Sequence, residues 1–385
     1  MTSFIPYGKQ QINQDDIDAV VEVLRSDFLT QGPVVPKFEE AVAKCVGAKH
    51  GVAVNSATSA LHIACAALDL GPGDWLWTSP ITFVASANCG RYCGAKIDFV
   101  DIEPETFNMC PDALEAKLAD AEREGTLPKV IVPVHMCGQS PDMERIAALC
   151  REYGIKTVED ASHSIGASYQ SEPVGNCAHS DITVFSFHPV KIITTGEGGL
   201  ATTNDAALAT RMAELRSHGI TRDQSRMTKE SDGPWYYQQI ELGWNYRMTE
   251  MQGAVGLSQM DRLDKFVSRR REIATLYDEA LSDLPLRVPG RQDGADSSWH
   301  LYVVRLEDAD RHRVVFEALQ AAQIGVNLHY IPVHLQPYYQ RLGFSRGDFP
   351  ASEDYYDRAI SIPLHPGMEA SDQERVVDAL HEALA

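Results

Sequence analysis

Apolar residues recur at helical spacing in QDDIDAVVEVLRS (14–26), where Ile17, Val20, Val21 and Leu24 share one face and acids crowd the start. A Gly-Pro turn then separates a loop from a second helix over about 36–46. The loop holding Thr30, Gln31 and Gly32 is too polar for core; it reads as a connector or as the lining of a site. From residue 51 the pattern changes. Short apolar runs of strand length alternate with helical stretches: 51–54, a helix rich in small residues from about 58, and WLWTSPITFVASANC. GAKIDFVDIEP (94–104) follows as strand and turn, and PDALEAKLADAERE as a charged helix. KVIVPVHMCG (129–138) reads as a buried strand, RIAALCREYG as a helix, and IKTVEDASHS (155–164) as a strand ending in acids. A last apolar run, Ile182 to Phe187, enters the Gly-rich stretch FSFHPVKIITTGEGG (185–199).

This alternation predicts an α/β fold with a mainly parallel sheet. Ligands in such folds bind beyond the carboxyl ends of strands, and Asn55, Asp160 and Lys191 all sit at such ends. After TTND (202–205) a helix runs to about 216, and residues 217–240 form a long polar and aromatic loop with no period. One long helix is expected to reach about 281 and to bridge two domains. The remainder has a strand at 299–306, two helices and the segment GVNLHYIPVHLQPYYQ (325–340), a smaller α+β domain. The expected division is a large domain, 1–250, and a small C-terminal one, 251–385, that begins with the bridging helix.

Composition narrows the function. A chain of 385 residues has material for a large core, and a net charge of −20 argues against nucleic-acid partners and anionic membrane surfaces. An anionic substrate must therefore be met by local positive groups. The eight cysteines lack CxxC pairs and metal-ligand spacing, the pattern of reduced thiols in the cytoplasm. No signal segment and no bilayer-length apolar run is visible.

Lys191 lies at the mouth of an apolar strand. A desolvated lysine loses pKa and becomes an amine nucleophile, whereas an exposed loop lysine does neither. Asn55, Ser56, Thr58 and Ser59 begin a helix, where free N–H groups and hydroxyls suit a phosphate or simply cap the helix. Phe83 reads by default as a core aromatic. Glu159 and Asp160 beside Lys191, with a phosphate corner, match the parts of a pyridoxal phosphate site. Such a site needs a lysine for the carbonyl, an acid for the pyridine nitrogen and a cup for the phosphate. His135, His163, His179 and His188 lack the HxxxH spacing of a zinc hydrolase, so no metal is expected.

In this order LTQGP, NSATSAL, TFVASAN, VEDASHS, FSFHPVK, TTGEGG and NYRMTEMQ resemble the DegT-type sugar aminotransferases, members of the aspartate-aminotransferase (fold type I) superfamily. The resemblance covers essentially the whole chain. It implies pyridoxal 5′-phosphate bound covalently to Lys191, with Asp160 against the pyridine nitrogen. Thr58, Ser59 and Ser186 would hold the phosphate, and Phe83 would stack on the ring. His163 stands where many members carry Gln, near the ring hydroxyl. Asn245 matches a residue that reaches the phosphate from the neighbouring subunit, which implies a homodimer with shared active sites. Some relatives are dehydratases with His in place of the lysine; Lys191 favours transamination. SDFLTQGP, RSHG and HYIPVHLQPYYQ are similar to members of the pseudaminic acid type. Those move the amino group of L-glutamate to C4 of a UDP-linked 4-keto-6-deoxy-N-acetylhexosamine. Thr30, Gln31, the 217–223 loop, Arg247 and His329 are then candidates for the sugar nucleotide or the donor carboxylate, with Arg247 also readable as a structural partner. A GDP-linked 4-keto sugar, or a sensor role without turnover, are the other readings.

Overall fold

Seven strands form the central sheet of the computed structural model, which describes residues 3–385. They are β1 (His50–Val54), β2 (Trp75–Thr78), β3 (Lys96–Phe99), β4 (Val130–Val132), β5 (Lys156–Asp160), β6 (Ile182–Ser186) and β7 (Gly199–Thr203). Their spatial order is β1-β7-β6-β5-β4-β2-β3. Only β7 runs against its neighbours; the other six share one direction. Strands covered by helices on both faces need apolar residues throughout, and β4, β6 and β7 are buried at every position. Leu61, Ile63, Val132 and Val184 pack in one core, and Trp77, Leu114, Ile131 and Ile146 in another. Shared strand polarity brings Asn55, Asp160 and the loop after Ser186 to one edge.

The C-terminal part carries a smaller antiparallel sheet, β8 (Leu286–Arg287), β9 (Tyr302–Leu306) and β10 (Ala359–Ile362). It holds three longer helices, His312–Ala321, Pro350–Arg358 and Ala370–Leu384, and one short turn of helix, Pro337–Gln340, where the pattern predicted two. Ile5 packs in its core with Tyr302 and Ile324, so the chain's N-terminal stretch joins the C-terminal lobe.

Three further expectations change. The bridging helix is two, Glu250–Met260 and Leu263–Ala280, broken where Arg262 turns to bond the buried Asp16 carboxylate at 2.5 Å. The second does bridge: Leu263, Phe266 and Val267 pack with Phe38, whereas Ile273 and Tyr277 pack with Tyr302. Helix Gln14–Arg25 turns Asp16 and Val23 inward and leaves Ile17 and Leu24 exposed, because Ser258, Gln259 and Arg262 all bond Asp16. Within 217–240, Ile220–Thr221 pairs with Gln238–Gln239, a small hairpin inside the expected loop.

Glu250 is fully buried and caps helix Val34–Val46, whose Pro33 offers no side-chain cap. Its carboxylate accepts from Val34 N at 2.6 Å and Val35 N at 3.3 Å. Removing it leaves two buried donors unpaired. Glu250→Ala is therefore expected to cost about 2–3 kcal/mol, read as a lower urea midpoint at unchanged slope, with Glu250→Gln recovering part.

Candidate active site

A cavity of about 940 Å³ opens beyond the carboxyl ends of β1, β5 and β6. Thr58, Ser59, Phe83, Asp160, His163, Ser186, Lys191 and His329 all line it. Alternation along β5 separates the two acids: Asp160 faces the cavity, while Glu159 faces away and pairs with His135 at 2.8 Å. Burial alone would raise the Glu159 carboxyl, yet bonds from His135, Ser180 and Thr183 hold it below its ordinary value. Asp160 is fixed on both oxygens. Ser86 Oγ donates to Oδ2 at 2.6 Å, and Ser162 N and Oγ donate to Oδ1 at 3.2 and 2.5 Å.

Helix Ala57–Ala67 begins at the cavity. Ser56 Oγ accepts from Ser59 N at 3.1 Å, and Ser59 Oγ donates to Asn55 Oδ1 at 2.7 Å, so the corner is a helix cap. It could also receive an anion, because the Ala57 and Thr58 amides have no protein acceptor among the described residues. Gly199 lets β7 pass close beneath it, since a Cβ there would stand 2.5 Å from Ala57 N.

Lys191 is half-buried and lines the cavity. Poor hydration pushes its amine down to about 7 from 10.5, against the attraction of Asp160. Above pH 7 the neutral amine predominates. His329 is pushed down to about 3 by burial and by Lys191, and the same causes hold His163 and His300 well below an ordinary imidazole. All three rings are neutral at physiological pH. His163 Nε2 lies 3.2 Å from Tyr330 Oη, and Phe83 is 57% exposed at the cavity wall, not in the core.

The other four predicted residues lie outside this cavity. Thr30 and Gln31 are exposed, and Thr30 bridges to Thr249; Asn245 is exposed and bridges to Ser217; Arg247 is half-buried. The pattern missed His300, Tyr330, Ser86 and Ser162. Ser162 carried a signal, a serine two residues after Asp160, where side chains bond back to acids. His300 carried none, standing 109 residues from the lysine it touches. Among the described residues no group of three or more His, Cys, Asp and Glu is placed to hold a metal, and no helix is long and apolar enough to cross a membrane.

The donor set fits pyridoxal 5′-phosphate: unpaired amides and hydroxyls for a phosphate, a pinned carboxylate, and a neutral amine. An acylating reagent applied to cofactor-free protein is expected to label Lys191 half-maximally near pH 7. A midpoint near 10, as for solvated lysines at about 10.4, would contradict the burial argument. The depressed pKa also means that this amine costs stability at and below pH 7, a cost that fades as pH rises toward 10.5.

The DegT/DnrJ/EryC1/StrS aminotransferase family profile matches residues 10–381. The chain is 39% identical over 385 residues to the spore coat polysaccharide biosynthesis protein SpsC of Bacillus subtilis, covering 98% of this chain and 97% of the relative. It is 37% identical over 384 residues to the UDP-4-amino-4,6-dideoxy-N-acetyl-beta-L-altrosamine transaminase of Campylobacter jejuni, covering 99% and 97%. Among solved structures, Helicobacter pylori PseC, an aminotransferase involved in the biosynthesis of pseudoaminic acid, superposes with a TM-score of 0.91 at 31% identity over 99% of each chain. This chain belongs to the DegT/DnrJ/EryC1/StrS aminotransferase family, the pyridoxal-phosphate-dependent sugar aminotransferases.

Proposed function

We propose that this enzyme transfers the amino group of L-glutamate to C4 of a UDP-linked 4-keto-6-deoxy-N-acetylhexosamine, working as a cytoplasmic homodimer with shared sites. The observation that carries the chemistry is the neutral Lys191 amine in one cavity with the pinned Asp160 carboxylate and the Thr58–Ser59 cup. The sugar rests on the likeness to the Campylobacter transaminase and to PseC. The likeness to SpsC, named for a spore coat polysaccharide, supports a second reading in which another nucleotide-linked keto sugar is the acceptor.

Bound there, pyridoxal 5′-phosphate supplies a protonated ring that takes up the electron pair left when the substrate carbon loses a proton. Thr58, Ser59 and Ser186 would hold the phosphate, Phe83 would cover a ring face, and His163 would stand by the ring hydroxyl. Asp160 would offer negative charge to the pyridine nitrogen and so would keep its proton in place. Lys191, with its amine free, would accept on Nζ the proton lost by the substrate carbon and later give it up again. His329 contacts the sugar from within the cavity.

Among the described residues no arginine lines the cavity of a single chain, yet both substrates are anions. A second copy supplies what is absent: Asn245 for the phosphate, and Thr30, Gln31 and Arg247 for the sugar nucleotide or donor carboxylate. Support comes from their position, exposed or half-buried outside their own cavity, and from exposed apolar side chains. Ile17, Leu24, Phe28 and Leu29, shortly before Thr30 in the chain, are each about half exposed. The eight cysteines, none in a disulfide, support a reducing compartment.

Adding L-glutamate to the yellow holoenzyme is expected to bleach its visible band, and amination of UDP- and GDP-linked 4-keto sugars then identifies the acceptor. A band that ignores glutamate leaves the sensor or another donor. Lys191→Ala is expected to abolish turnover in a folded protein, and Asp160→Asn to keep cofactor while losing most turnover; full activity in either removes that residue from its role. Lys191→Ala and Asn245→Ala, unmixed, should be impaired. Random pairing of the two should restore about a quarter of the intact sites, and no recovery on mixing counts against shared sites.

A further inference from the structure

His300 is a buried base that the transamination chemistry above does not use. Its Nε2 lies 3.4 Å from Lys191 Nζ, and this is the only protein hydrogen-bond partner of that amine among the described residues. The ring is 4% exposed, and its Nδ1 meets no protein partner. The groups that face it are basic: Lys191, His163, Arg270 and His329. Its ring lies 4.4 Å from that of His163, centroid to centroid. No carboxylate bonds it, so nothing nearby helps the imidazole take a proton of its own. A neutral ring whose Nδ1 carries the hydrogen leaves Nε2 as a lone-pair acceptor.

The backbone of His300 is clamped from both lobes. Arg270, a guanidinium only 1% exposed, donates Nη1 to the carbonyls of Trp299, His300 and Leu364 at 3.1, 3.3 and 2.9 Å. Ser298 N donates to Gly138 O at 3.0 Å, and Ser298 Oγ to His163 O at 2.9 Å. Gly138 has a positive φ of 102°, and a Cβ on it would stand 2.9 Å from His300 N. So tight a fit of C-terminal loop on central sheet brings one imidazole nitrogen to the reactive amine.

We propose that His300 is the positioning residue of Lys191: its Nε2 takes one N–H of the amine and thereby turns the nitrogen lone pair into the cavity. Fixing one of the amine's hydrogens removes the rotations in which the lone pair faces the wall, and orientation of this kind speeds attack on a carbonyl. The same bond holds the ammonium when Nζ carries a proton taken from substrate. This inference rests on Lys191 as the amine that engages the cofactor.

The test mixes cofactor-free wild type, His300→Leu and His300→Gln with pyridoxal 5′-phosphate. In the capture step a C=N bond replaces the aldehyde C=O, and two amine hydrogens leave with the oxygen as water. Its rate is read by absorbance, and its site by borohydride trapping and peptide mass. Pyridoxamine 5′-phosphate has no aldehyde, so its calorimetric affinity reports the cup and the fold alone. His300→Leu is expected to slow capture about tenfold while changing that affinity less than about twofold. Its pH midpoint for capture moves down, because the ammonium has lost its acceptor, and His300→Gln, which keeps an acceptor oxygen, recovers most of the rate. Equal rates, faster capture, or parallel loss of capture and pyridoxamine 5′-phosphate binding would each overturn the proposal. Wild-type capture at a lysine other than 191 would overturn instead the assignment beneath it.

Discussion

Burying an amine is expensive, and this structure is arranged around doing so at Lys191. An ammonium in a poorly hydrated cavity loses its proton more readily than in water, and the neutral amine that results has a free lone pair. The desolvation holds only while the walls stay closed. Those walls are the Gly-rich turn after β6, the helix cap at Ser56 and a loop from the C-terminal lobe. Asp160 offsets part of the cost by attraction, and its own position is set by Ser86 and Ser162. Every group that the cavity needs is therefore held by a neighbour whose first role is geometric.

The same economy governs charge. The chain carries −20 overall, so it offers anionic substrates no attractive field at long range. Attraction is confined to short distances, at the unpaired amides of the cup. The second group of polar residues, around Thr30 and Asn245, is built with equal care. Glu250 ties the 28–35 stretch to the 245–250 segment through Val34, Val35 and the Leu29 carbonyl.

Much of this was legible along the chain. Strand-length apolar runs alternating with helical spacing require a two-sided sheet, since nothing else buries such runs as β4 and β6. The strand ends then locate Asn55, Asp160 and Lys191 without any contact being known. Local patterns failed where a distant partner outweighed periodicity. Helix Gln14–Arg25 shows Ile17 and Leu24 to solvent because Asp16 has three partners on helix Glu250–Met260 and at Arg262, and the long bridging helix breaks at that same arginine.

The sequence by itself determined the sheet, its polarity and the chemical types at its edge, because these follow from period and from local backbone geometry. Read without the resemblance, the residues left Glu159 and Asp160 undivided and Phe83 in the core; tertiary structure turned Asp160 to the cavity, set Phe83 on its wall and brought His300 to Lys191. The first turns on the register and facing of β5. The contact of His300 depends on how the lobes close, with Arg270 and Gly138 fitted against its backbone 109 residues along the chain from Lys191. Desolvation is a property of everything around a group, and no stretch of sequence contains its own surroundings.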